Sequence, residues 1–246
     1  MTRTFRMVLQ YDGTGYIGWQ RQERGESIQG LVEAALARID GKAVTVHGAG
    51  RTDAGVHAMA QTASVRLDTT LDPSTLRRAL NANLPPAIRV TAVDVAADEF
   101  HARFDARSKT YEYRIRNAVS VPPFERLYVW HVAQPLDLDA MQRAASPLVG
   151  QHDFAAFQGA GTEVHTTVRR VLAAGWQRSA DGLLVFEITG EGFLRHMVRR
   201  IVGTLVEIGS GRRPESEIAR LLESGPVQDV ARTAPPCGLF LVRVEY

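Results

Sequence analysis

The spacing of apolar residues changes period several times along the chain, and that succession limits the fold more than any other feature. Over residues 4–11, Phe5, Met7, Leu9 and Tyr11 fall on alternate positions, the signature of a half-buried strand. Ile28, Leu31, Val32, Ala35, Leu36 and Ile39 then recur at helical spacing, with Ser27 placed to cap the first turn. Strand-like runs at 44–47 and 60–67 flank a glycine-punctuated loop. Asp72 and Pro73 start a helix through residue 81, and 88–95 reads as a further strand. The pattern resets near residue 104. Strands are expected at 110–116, 168–177, 183–189 and 239–246, with helices at 138–148, 192–208 and 214–223. In the helix at 192–208, Leu194, Met197, Val198, Ile201, Val202, Leu205 and Ile208 fill one arc. Arg195, His196, Arg199 and Arg200 fill the complementary one. A β-α-β-β-α-β order followed by a similar set predicts an α+β fold. Its two similar α/β halves, ferredoxin/RRM-like with antiparallel sheets, would cover residues 1–104 and 105–246.

Composition narrows the class. The 246 residues suffice for a proper core, and 45% apolar with 23% charged residues is ordinary for a globular chain. No apolar stretch approaches the roughly 18 residues of a membrane span. The first six residues lack the apolar centre of a signal peptide, so a cytoplasmic protein is expected. Cys237 is the single cysteine, which removes any disulfide framework or multi-cysteine zinc site, and the seven histidines show no metal-ligand spacing. All but Lys42 and Lys109 of the 29 basic residues are Arg, whose planar fork matches phosphate and stacks on bases. Arg103, Arg107, Lys109, Arg114 and Arg116 form one cluster; Arg195, Arg199, Arg200, Arg212 and Arg213 form another. These two segments are the first candidates for a phosphate-binding surface.

The loop Gly48-Ala49-Gly50-Arg51-Thr52-Asp53-Ala54-Gly55-Val56-His57 is the most unusual stretch. Its glycines allow tight turns and close approach to the backbone. It lacks the Gly-Lys-Ser/Thr ending of a P-loop and the spacing of a dinucleotide fingerprint. By pattern alone it is also compatible with a hairpin turn in which Asp53 bonds its own backbone. Tyr111 shares a strand face with Tyr113 and Ile115, so a core aromatic is the plain reading there. No nucleophile elbow is present.

The same loop, extended to Ala58, resembles the signature of the tRNA pseudouridine synthase A family. So, in order, do the stretches 11–20, 27–30, 80–85, 100–104, 111–113, 192–199 and 233–239, which together span nearly the whole chain. Ala87 departs from the family, which often has an acidic residue after Leu84-Pro85. The resemblance implies an isomerase that detaches uracil from its ribose in tRNA, rotates it and rejoins it through carbon 5. It implies action at nucleotides 38, 39 and 40 of the anticodon stem-loop, by a homodimer without metal or organic cofactor, around a central RNA-binding cleft. Carried onto this chain, Asp53 is the catalytic nucleophile, Arg195 its basic partner, Tyr111 the contact to the substrate base, and Arg51 the residue that holds the target nucleotide out of the stack. Two other readings stay open: a tRNA-binding module without catalysis, which would need no Asp-Tyr-Arg constellation, and a pseudouridine synthase acting on another RNA.

Overall fold

The computed structural model describes residues 2–161, 164–225 and 232–246. The chain divides into two compact units, Met1–Arg107 with Phe240–Tyr246, and Ser108–Leu239. The expected second half runs from 105 to the end of the chain, whereas in the structure the last seven residues cluster with the first unit.

The first unit opens with β1 (Arg3–Tyr11), α1 (Ile28–Asp40), β2 (His47–Gly48), β3 (His57–Leu67), α2 (Pro73–Asn83) and β4 (Ile88–Val95). Strand β1 lies between two antiparallel neighbours, with Met7 opposite Ala63 of β3 and Val93 of β4. The alternate residues Phe5, Met7 and Leu9 are fully buried, as are Ile28 and Leu36 on α1 and Leu76 and Leu80 on α2. Burying each such side chain contributes roughly 1.5–3 kcal/mol, which fixes the helices on this face of the sheet. The caps act as the sequence suggests. Ser27 Oγ accepts from the Gly30 amide, Gly41 ends α1 at φ 74°, and Asp72 accepts from the Ser74 and Thr75 amides ahead of α2.

Of the strand expected at 44–47 only His47 pairs as a strand, β2 continuing to Gly48. The Val46 amide donates to Glu33 Oε1 and its carbonyl accepts from Gln29 Nε2, both at 3.0 Å. Side chains of α1 thus take the backbone groups that a strand partner would have used.

The second unit contains β5 (Ser108–Asn117), β6 (Trp130–Val132), α3 (Leu138–Ala145), β7 (Gly150–Asp153), β8 (Val168–Arg178), β9 (Leu184–Gly190), α4 (Met197–Gly209) and α5 (Glu217–Glu223). Here β9 lies between β5 and β8, with Tyr113 and Trp176 both registered on Phe186, and β7 extends the sheet beyond β8. Helix α4 buries Met197, Ile201, Val202 and Leu205, and α3 packs alongside it. Gly203 is obligatory in this packing, because a Cβ there would sit 1.9 Å from the Arg232 carbonyl oxygen.

The closing strand β10 (Leu239–Glu245) pairs with β3, Phe240 facing His57. That pair is parallel, as is β5 with β6, so the expectation of purely antiparallel sheets is corrected to mixed ones. A parallel neighbour needs a long connection. Residues 118–129 supply one between β5 and β6, and β10 is reached only after the second unit has intervened. The fold is mixed α/β with five α-helices among the described residues.

Candidate active site

The loop between β2 and β3 is held from several sides by the segment that follows β1. Tyr11, 4% exposed, shares a 2.9 Å hydrogen bond between its hydroxyl and Thr52 Oγ1. The Trp19 amide donates to the Thr52 carbonyl at 3.0 Å, and Gln61 Nε2 donates to the Gly50 carbonyl at 2.8 Å. Two glycines of the preceding segment permit this approach. A Cβ on Gly13 would meet the Val56 carbonyl oxygen at 2.1 Å, and one on Gly18 the Thr52 carbonyl oxygen at 2.5 Å. The Gly13 amide donates to His57 Nδ1 at 3.0 Å, and the His57 ring stacks on Phe240 at 4.7 Å. A register shift in β1 between Leu9 and Tyr11 accompanies this departure of the chain from the sheet.

Asp53 is half-buried at the centre of the clamped loop, and Arg51 is exposed beside it. Asp53 also opens a β-turn, its carbonyl accepting from the Val56 amide at 3.1 Å with Gly55 at φ 75°. A turn is therefore present, as the loop composition suggests. The residues on both sides of the carboxylate are fixed before any ligand arrives, which is the arrangement that lowers reorganisation in a reaction.

Burial pushes the Tyr11 phenol up to about 12, against the lowering effect of its bonds to Thr52 and Gln61, and burial likewise pushes Tyr246 up to about 12. A raised native value means the fold favours the protonated phenol. The associated stability is complete below the ordinary value of 10.0 and is lost as the pH rises through about 12. An alkaline titration followed by phenolate absorbance is expected to show delayed tyrosines, with unfolding beginning above pH 10. Tyr11→Phe should shallow that pH dependence; an unchanged profile would place the sensitivity elsewhere.

The second unit supplies the other candidates. Tyr111, 7% exposed on β5 opposite Ile188, meets Phe193 edge-on at 5.2 Å. Phe193 stands two residues before Arg195, so this unit brings Tyr111 close to the segment that carries the arginine. Arg195 itself is exposed, its guanidinium donating to the Ala160 carbonyl at 2.9 Å while its own carbonyl accepts from the Gly159 amide at 2.8 Å. Asp53 and Arg51 lie in the first unit, Tyr111 and Arg195 in the second.

The structure changes the sequence reading of Arg195. The helix expected from 192 starts at Met197, because His196 takes a left-handed conformation at φ 61°. Its ring packs on Gly159, where a Cβ would lie 2.6 Å from Nδ1, and this contact together with the Gly159–Arg195 bond draws the chain out of helical geometry. Arg195 is thus presented from a turn and not from a helix arc.

The basic clusters are also thinned. Arg213 is half-buried between Glu207 and Glu217, at 2.6 Å from each, so it serves the fold. Arg116 pairs with Glu125 and Asp181, Arg114 with Glu112, and Lys109 is buried. Arg103, Arg107 and Arg212 are exposed. Among the described residues no group of three or more His, Cys, Asp or Glu side chains could hold a metal ion, and no helix is long and apolar enough to cross a membrane.

A family model described as tRNA pseudouridine synthase matches residues 7–105 and 144–246. The chain is 43% identical to tRNA pseudouridine synthase A of Pelobacter propionicus, over 99% of this chain and all of that one. It is 44% identical to tRNA pseudouridine synthase A of Geobacter sulfurreducens, again over 99% of this chain and all of that one. Among solved structures, a chain of the archaeal box H/ACA sRNP Nop10-Cbf5 complex aligns at a TM-score of 0.34 and 14% identity, over 82% of this chain and 44% of that one. The family match and the full-length similarity define an isomerase that makes pseudouridine in tRNA. The chain belongs to the tRNA pseudouridine synthase family.

Proposed function

We propose that this protein converts uridine to pseudouridine at nucleotides 38, 39 and 40 of the tRNA anticodon stem-loop, with Asp53 as nucleophile. The observation that supports this reading most is half-buried Asp53 between Thr52, whose hydroxyl bonds Tyr11 and whose carbonyl accepts from the Trp19 amide, and Val56, with Gly18 and Gly13 packed closely on the two backbones. In this reading the two halves are ferredoxin/RRM-like, and the enzyme works as a cytoplasmic homodimer.

The reaction breaks the bond from ribose C1′ to uracil N1, forms one from C1′ to C5, releases the C5 proton and leaves N1 protonated. It is redox-neutral and needs neither metal nor organic cofactor. An ionised carboxylate can attack C1′ and expel the uracil anion, attack C6 of the base, or take the 2′ proton to leave a glycal. All three routes require an ionised carboxylate at Asp53, and Arg195 is its basic partner in this reading. Tyr111, or a water it orients, receives the C5 proton. Arg51 fills the stack vacated by the target nucleotide, whose extrusion costs a few kcal/mol. Since stem uridines lie in varied sequences, recognition reads shape and phosphates before bases.

The test is to incubate the protein with unmodified tRNA transcript tritiated at uridine C5 and to map the product. Tritium release with pseudouridine at 38–40 is expected; product confined to other positions would overturn the assigned site. Arg195→Ala should lower turnover by about 100-fold while tRNA affinity changes little, the pattern of a group acting on developing charge. Equal loss of both would make Arg195 a plain phosphate contact.

A further inference from the structure

Within the first unit, three rings adjoin one another at the surface. His47 on β2 lies 4.8 Å from His101, and His101 stacks on Phe104 at 4.3 Å with the planes 30° apart. The ladder ends on Phe104, 75% exposed, with the Arg103 guanidinium 5.7 Å from its centroid.

The turn that carries this ring is tied down. His101 Nδ1 accepts from the amides of Arg103 and Phe104, Asp105 Oδ2 accepts from the His101 amide, and the Ala102 amide donates to Ser64 Oγ. The Ala102 carbonyl accepts from the Tyr246 hydroxyl at 2.7 Å. Burial lowers the His101 pKa, helped by the charge of His47, which keeps Nδ1 available as the acceptor that these amides need. An apolar ring presented to water on so constrained a turn contributes little to the core, so its placement calls for a partner.

We propose that Phe104 is a stacking platform for an unpaired base of bound tRNA, with Arg103 on the adjoining phosphate. The proposal rests on tRNA being the substrate. A nucleobase fits because a flat aromatic face beside a guanidinium answers both of its chemistries, the π-face and the phosphate charge. A protein partner fits less well: an aromatic anchor in a protein interface is ringed by apolar contacts, whereas Phe104 is flanked by exposed, charged Arg103 and Asp105.

Affinity for a fluorescein-labelled tRNA transcript, measured by anisotropy across a salt series, tests this, with light scattering on each variant and tritium release on the wild type. Phe104→Ala is expected to bind about tenfold more weakly at every salt concentration, Phe104→Leu to fall nearly as far, and Phe104→Tyr to match the wild type. Arg103→Ala should reduce the salt slope by about one. Phe104→Ala within twofold of wild type, or Phe104→Leu equal to it, overturns the platform. A changed molar mass in Phe104→Ala also overturns it, in favour of a second copy of this chain as the occupant. Wild-type protein that binds tRNA through Phe104 without tritium release would leave the platform standing and remove the proposed activity. Wild-type protein that does not bind tRNA removes both.

Discussion

Asp53→Asn is expected to suppress tritium release from tRNA by about 10⁴-fold or more while tRNA affinity stays within a few-fold of wild type. The amide has nearly the volume and the acceptor oxygen of the carboxylate, so the loop should keep its shape. It lacks the negative charge, and an amide oxygen neither displaces uracil from ribose nor takes a proton at neutral pH. Anchors on Gly50, Thr52, Asp53 and Val56 backbone groups and on the Thr52 hydroxyl are left in place by the substitution. Tritium release from both proteins would confirm the reaction and remove Asp53 from it. Loss of binding together with loss of release would indicate that the carboxylate shapes the loop.

Gly18→Ala should do comparable damage by a different route. Gly18 stands at φ 102°, and an added Cβ would lie 2.5 Å from the Thr52 carbonyl oxygen and 2.9 Å from the Asp53 carbonyl carbon. Both obstacles are backbone and cannot swing aside as a side-chain tip could. Strain at such a φ costs roughly 1–3 kcal/mol and overpacking a similar amount, about 2–6 kcal/mol in all. The variant can recover part of this by letting the loop retreat, which would displace Asp53. Thermal unfolding and turnover measured side by side will apportion the effect: a lowered Tm with intact turnover in the folded fraction would show that the loop held its place. Gly41→Ala is the control, since that position has a comparable φ of 74° and no atom within 4 Å of the added Cβ.

Such glycines mark the limit of what the sequence could disclose. Periodicity exposed the elements whose stability is local. Strand β4 and the caps of α1 and α2 were legible because alternation, Ser27 and Asp72-Pro73 express themselves within a few residues. Strands β6 and β7 were not, since three or four residues carry no readable period and form only because a neighbouring strand accepts them. Helix α4 had its apolar arc read correctly and its start misplaced, because the His196 contact with Gly159 arrives from a distant loop. Arg213 was legible as a cation but not as one already claimed by Glu207 and Glu217. For the candidate site the balance is similar. The loop with Arg51 and Asp53 stood out by its glycines, and its likeness to one family gave it a role. Its restraint by Tyr11, Gly13, Gly18 and Trp19 depends on a fold-back of the chain that residue spacing does not encode.

Strand β10 gives the first unit an unusual relation to time. Its sheet, and with it the stacking of Phe240 on His57 and the bond from Tyr246 to Ala102, is assembled from two stretches of chain separated by all of residues 108–239. A ribosome delivers the loop of Asp53 first and the β10 neighbour only after residues 108–239. During synthesis β3 waits with the His57–Ala58 part of one edge unfilled, and closing it carries the entropy of joining a very long loop. The strand that pairs with β3 just after the candidate catalytic loop is therefore set in place late, and a chain cut short before Phe240 would carry the Asp53 loop without that strand.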